Sequence, residues 1–391
     1  LSIILLVLAV EFTASAKDSD SNLTVGQYSL LNRADVIDPN VQKDLFATQD
    51  GEQITVIVTL TKQADLDSIP GANRAAKLSG VIRALQALAT AEQRQISAYL
   101  SAQTALGSVS NFTPFWIFNG LSVTATEEVI QDLAGRADVA RITVDEIDTK
   151  PVSNPALGPA QPNISVIQSP ALWDLGYFGQ GIVIASLDSG VDLSHADLAS
   201  SWRGGENSWF DPYGEHPLTP ADLSGHGTAT MGVMVGGDAS GSSIGVAPQA
   251  QWISAKIFND SGSSTATAIH LSYQWLLDPD SDPLTDDAPQ VVNNSWTFSY
   301  PGCNLEFELD LQSLRAAEML PVFAAGNGGP STGSSYSPAN NPSAFAVGAV
   351  DNADQIYAYS SQGPTSCGGV SRVFPDLVAP GVNIFTTGLG G

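Results

Sequence analysis

The sequence predicts an α/β protein, a doubly wound and mainly parallel sheet preceded by a small α+β unit. Three observations carry that prediction. From Ala171 onward, runs that are apolar almost throughout alternate with helical stretches, as strands buried on both faces of a parallel sheet do. Before residue 150 the pattern is one of half-buried alternation and amphipathic stripes in the order β-α-β-(β)-α-β, that of a ferredoxin-like sandwich. Between the two, residues 149–165 hold four prolines and read as a linker.

The elements follow in order. Ile3 to Val10 is apolar and is followed by Thr13-Ala14-Ser15-Ala16-Lys17, with small residues at an A-x-A cleavage site. The run is shorter than the about 20 residues that span a bilayer. Residues 1–16 therefore read as a clipped signal peptide, the first residue being Leu, and the protein as secreted with no membrane span. Residues 17–52 are polar, with Asp-Ser-Asp and Asp-Pro-Asn clusters, and are expected to form a linker or arm. In Gln53 to Leu60 the residues Ile54, Val56, Val58 and Leu60 share one face of a strand. Leu78, Val81, Ile82 and Leu85 give a helical stripe that continues, less regularly, to Leu100. Phe112 to Thr126 is strand material around an Asn119-Gly120 turn. Thr126, Glu127 and Glu128 mark a helix start, where the macrodipole favours acid, and Val139 to Val144 closes a unit spanning 53–150. After the linker 151–165, a unit spanning 166–391 has strands at 181–187, 251–257, 290–295, 321–325, 344–350 and 376–379. Its helices are 228–235, 264–277 and 307–319, with an acidic, proline-broken insertion at Asp278 to Pro289 and a long polar loop at Gly328 to Pro342.

Charge excludes one class of function. The 391 residues include 40 acidic and 15 basic ones, a net charge of −25, and residues 151–391 hold 22 acidic and only 4 basic. That field repels phosphate backbones, so nucleic-acid binding is not expected. The acidity otherwise serves solubility or cation binding. The two cysteines, Cys303 and Cys367, either pair or remain two thiols; sequence spacing does not decide which.

The chemistry concentrates in three short stretches. Leu187-Asp188-Ser189-Gly190 puts an acid at the C-terminal lip of a strand, where sites of open α/β sheets form. Ser224-Gly225-His226-Gly227-Thr228 opens a helix of small residues with an imidazole. Phe323-Ala324-Ala325-Gly326-Asn327 ends another strand in an amide able to donate to an oxyanion. Acyl transfer by serine needs a base, a group that fixes its tautomer, oxyanion donors and a nucleophile. All but the nucleophile are supplied.

These stretches resemble the Asp, His and oxyanion-Asn motifs of subtilisin-like serine proteases (subtilases, peptidase family S8), in the chain order and with the oxyanion Asn that subtilisin itself exemplifies. Gly245-Val246-Ala247-Pro248, Val347-Gly348-Ala349-Val350 and Ala379-Pro380-Gly381-Val382 resemble framework motifs of that family. Val291-Val292-Asn293-Asn294-Ser295-Trp296, with its preceding insertion, is most similar to the bacillopeptidase F branch. The resemblance implies a subtilisin-like catalytic domain, with Asp188 orienting the base His226 and Asn327 in the oxyanion hole. It implies polypeptide substrates bound along Asn294, Ser295, Trp296 and Thr297. It implies that residues 53–150 are an inhibitory propeptide, the protein's own intramolecular partner. No cofactor or catalytic metal is implied; structural calcium is compatible, its ligands unassigned.

Four departures qualify the match. Ala229 replaces a second framework His. Thr297-Phe298 stand where the family has Gly, so a Cβ narrows the expected specificity pocket. Ala239 stands where a calcium-ligating Asn is usual, and that calcium site is not carried over. No Gly-Thr-Ser nucleophile motif follows Ala379-Pro380-Gly381, so the chain reads as a fragment at both ends, inactive as it stands. The alternative is a secreted, catalytically dead protease-like scaffold that binds a partner. A metallohydrolase built on His195 and His226 lacks HExxH-like spacing; His195 is expected at the surface.

Overall fold

A computed structural model describes residues 36–49, 51–151 and 162–390. The expected signal segment 1–16, residues 17–35 of the arm and the stretch 152–161 lie outside the described residues.

The first unit begins earlier than its hydrophobic pattern announces. Helix α1 (Pro39–Ala47) occupies part of the expected linker, and buries Val41 and Leu45. Asp38 accepts the Asn40 N–H at 2.9 Å and Pro39 starts the first turn, so the Asp-Pro-Asn cluster is a helix start and not a loop. Strand β1 (Gln53–Leu60), helices α2 (Arg74–Glu92) and α3 (Arg94–Leu106), strands β2 (Val109–Phe115) and β3 (Gly120–Thr126), helix α4 (Glu127–Ala134) and strand β4 (Val139–Val144) follow. The four strands form an antiparallel sheet in the order β2-β3-β1-β4. The single helical stripe expected to Leu100 breaks at Gln93, whose buried amide donates to the carbonyls of Phe115 and Gly120 and to Asn119 Oδ1.

Strand β5 (Thr149–Pro151) leads out of the first unit. The second unit comprises helices α5 (Pro162–Val166) and α6 (Ser169–Asp174), strand β6 (Val183–Asp188), helix α7 (Ala196–Ala199), strand β7 (Trp209–Phe210), helix α8 (His226–Val235), strand β8 (Gln251–Lys256), helix α9 (Ala266–Leu277), strands β9 (Val291–Asn294) and β10 (Trp296–Phe298), helix α10 (Glu308–Ala316) and strands β11 (Leu320–Ala324), β12 (Phe345–Val350) and β13 (Leu377–Pro380). Seven strands make one sheet in the order β13-β12-β11-β9-β6-β8-β7, and all six pairings are parallel. The fold is the α/β, doubly wound architecture that the buried apolar runs require. The order reverses at β6: the chain crosses to the edge strand β7, comes back to β8 beside β6, and then places β9 on the other side of β6. That switch point is where a ligand crevice opens beyond the strand ends. Asp188 is the last residue of β6.

The two units share one apolar core. Ile57 is buried on the sheet face opposite Val56 and Val58, in one cluster with Ile82, Phe115, Phe118, Ile269, Tyr273 and Leu311. Polar contacts frame that core. Gln274 Oε1 accepts the N–H groups of Trp116 and Ile117, and Asp145 caps α9 by accepting the Thr267 N–H at 2.7 Å. Strand β5 then pairs antiparallel with β10, Lys150 opposite Thr297. Cys303 and Cys367 form a disulfide, the alternative that spacing left open.

Candidate active site

Asp188 is delivered by β6 to the carboxyl edge of the sheet and is fully buried. His226 is the first residue of α8. Its Nδ1 lies 2.7 Å from Asp188 Oδ1. The same oxygen accepts the Ser189 N–H at 2.7 Å, and Thr230 Oγ1 is 3.4 Å from Oδ2. The carboxylate thus favours the tautomer that carries its proton on Nδ1, toward Asp188. The approach depends on Gly227, where a Cβ would stand 2.1 Å from the Gly190 carbonyl oxygen and 3.1 Å from Asp188 Cβ. Any larger residue would force α8 off the end of β6.

Asp222 is a positioning group that the motif reading does not single out. Its Oδ1 accepts from Ser189 Oγ and from the N–H groups of Ser224 and Gly225; its Oδ2 accepts the N–H and hydroxyl of Thr228. It caps α8 while tying the loop before His226 to the residue after Asp188. An acid a few residues before a helix start is the available signal.

Asn327 lies three residues beyond β11, half-buried on the same carboxyl edge. β11 and β6 flank β9, so the two strand ends are about 10 Å apart at ~4.8 Å per strand. Gly326 turns the chain there with φ +101, and a Cβ would meet Tyr336 Cδ2 at 2.8 Å. No hydrogen bond engages the Asn327 amide among the described residues.

The residues expected along the substrate separate into two groups. Asn294 is in the core: its Oδ1 accepts from Tyr273 at 2.8 Å and its Nδ2 donates to the carbonyls of Val292 and Val322, because a buried amide must be satisfied internally. Ser295, Trp296 and Thr297 lie at or on β10, the strand that receives β5, with Trp296 stacked edge-on against Phe307 and Phe323. His195, expected at the surface, is instead 5% exposed. It caps α7, Nδ1 accepting the Asp197 N–H at 3.1 Å.

Two further clusters of ionisable groups stand apart from this dyad. Asp278, Asp280 and Asp287 converge in the α9–β9 loop, the one group of the described residues able to gather round a metal ion. At the seam between the units, His270 lies 3.0 Å from both carboxylate oxygens of Asp310 and 3.5 Å from Glu306, with Phe115 and Phe118 against its ring. Burial opposes charge on His270, but Asp310 and Glu306 outweigh it and raise the imidazolium to about 10. A folded value above the unfolded one stabilises the fold fully below about pH 6.5, and the contribution is lost as pH rises toward about 10. Urea midpoints taken across that range are expected to fall for the parent and to fall less for His270→Gln. Equal slopes would contradict the assignment.

The subtilase family model matches residues 179–390, more than half of the chain. The chain belongs to the subtilase family. Among relatives, bacillopeptidase F of Bacillus subtilis (strain 168) is 32% identical over 340 residues, 79% of this chain and 23% of that protein. Subtilisin E of the same organism is 31% identical over 280 residues, 71% of this chain and 65% of that protein. Subtilisin of Bacillus pumilus is 33% identical over 231 residues, 58% of this chain and 74% of that protein. This subtilase therefore spans about a quarter of the length of bacillopeptidase F and just under two thirds of subtilisin E. Its parallel sheet, with Asp188 and His226 meeting at the switch point, is the subtilisin-like fold.

Proposed function

We propose that the gene's full product is a secreted serine endopeptidase that cleaves polypeptides through an Asp-His-Ser triad. The observation that carries this is the 2.7 Å contact between His226 Nδ1 and buried Asp188 at the sheet's carboxyl edge. With Nδ1 committed, Nε2 of His226 takes the serine proton during attack on the scissile carbonyl and returns it to the leaving amine. Asp188 holds the tautomer and stabilises the imidazolium. The Asn327 amide donates to the oxyanion, with a backbone N–H as its companion. These 391 residues contain no Gly-Thr-Ser sequence, the family's setting for the nucleophile, and by this reading do not turn over peptide alone. Secretion rests on the apolar segment Ile3–Val10; no helix among the described residues is long and apolar enough to cross a membrane.

The first unit acts in the same reading as an intramolecular inhibitor. Strand β5 adds to β10 by main-chain pairing, with Thr149, Lys150 and Pro151 opposite Phe298, Thr297 and Trp296, as an extended peptide substrate would. The processing point falls between about residues 146 and 165, around the proline-rich linker.

The test is hydrolysis of a peptide substrate, with fluorophosphonate labelling of the full product. Asn327→Ala is expected to lower kcat by about 10²–10³ with little change in KM, the cost of one oxyanion donor. Full product that carries Gly-Thr-Ser yet neither labels nor cleaves would instead identify a protease-like binding scaffold.

A further inference from the structure

The α9–β9 loop holds an arrangement that proteolysis does not use. Residues 278–287 include five aspartates. One carboxylate oxygen from each of Asp278, Asp280 and Asp287 lies within 4.8 Å of the other two. Acidic loops ordinarily keep such groups in water. Here Asp278 is only 6% exposed, and its buried Oδ1 has no hydrogen-bond partner among the described residues. A buried carboxylate left unsatisfied is costly enough that a native fold normally supplies a partner.

The nearby side-chain cations do not supply it. Arg203 donates to Ser208 Oγ and to the backbone carbonyls of Asp287 and Asn207. Arg74, from the first turn of α2, reaches Asp286 and the carbonyls of Ala288 and Pro289. The other two carboxylates are already oriented by neighbours, Asp280 by Thr285 and Asp287 by Asn207 at 2.9 Å. Such outer contacts are what fixes a metal ligand in place.

We propose that this loop binds one divalent cation, calcium, through Asp278, Asp280 and Asp287. The donors are hard oxygens without nitrogen or sulfur, which disfavours zinc and copper. Calcium–oxygen distances of about 2.3–2.6 Å let ligands sit up to about 5 Å apart across the ion, whereas the about 2.0–2.1 Å shell of magnesium draws them to about 4 Å. The bound ion braces the loop that leads into β9, the strand between Asp188's β6 and Asn327's β11. Arg74 ties the other end of the loop to the first unit, so if that unit leaves, the ion joins Arg203 and Asn207 in bracing the loop.

The experiment titrates calcium chloride into the EDTA-stripped full product by calorimetry, with melts run alongside, for the parent, Asp278→Asn and Asp280→Asn. The readout does not depend on peptidase activity. The parent is expected to bind one more calcium ion than either variant. At a free concentration 100 times Kd, that ion shifts the unfolding equilibrium about a hundredfold. Metal-free Asp278→Asn is expected to melt above the metal-free parent, because the amide removes the buried charge. Equal stoichiometry and equal calcium gain in parent and variants would overturn the proposal, as would magnesium matching calcium. If Asp278→Asn does not fold, exposed Asp280 carries the test.

Discussion

Asp188→Asn, made in the full product, is expected to lower kcat by about 10⁴-fold while KM moves little, the size established for this change in Ser-His-Asp triads. The substitution keeps the shape of a fully buried side chain. It also keeps an acceptor oxygen for the Ser189 N–H, so melting should change far less than activity. What it removes is the charge 2.7 Å from His226 Nδ1. The amide no longer enforces the tautomer with Nε2 as acceptor, nor stabilises the imidazolium formed as the serine proton is taken. Steady-state kinetics on a peptide substrate, paired with a thermal melt, separates the two effects. Activity within tenfold of the parent, with the fold intact, would remove Asp188 from the mechanism.

This dyad is legible because each partner sits at a place the sequence marks. A near-continuous apolar run ends at Asp188, and glycines flank His226. The six strand positions expected in the second unit are met within two residues for the same reason, since buried parallel strands leave no polar alternation to misread. The helix expected at 307–319 ends three residues early, at Ala316. The omissions are short elements specified by partners. β10 has three residues and exists as a strand because β5 lies against it. α1 is hidden by Asp38-Pro39-Asn40, which suits a turn and a capped helix equally; burial of Val41 and Leu45 decides between them. Asn294 reads as a substrate wall because the motif runs on without a break. A buried amide satisfied by backbone is the other reading the stretch allows, and the side chain that completes it, Tyr273, lies 21 positions earlier on the facing helix.

Loss of the Cys303–Cys367 bond is expected to cost about 4 kcal/mol of stability, from the chain entropy of closing a loop whose ends are 64 residues apart. The bridged segment contains α10, β11, Asn327 and β12. Its native geometry does not depend on the bond alone. Asn340 Nδ2 donates to the Gly302 carbonyl and Asn341 Nδ2 to that of Asn304, each at 2.8 Å, while Arg372 donates to the carbonyls of Asn340 and Asn341. These contacts hold the two ends of the bridge together once the chain has folded. The bond therefore acts mainly on the unfolded chain. In the full product, the double variant Cys303→Ser, Cys367→Ser should show a lower denaturant midpoint and a larger m-value, because the unfolded chain without the cross-link expands and exposes more surface. Its kcat under mild conditions should stay within a few-fold of the parent. The opposite pattern, a collapse of kcat with little loss of stability, would mean that the disulfide instead holds the Asn327 turn in its working geometry.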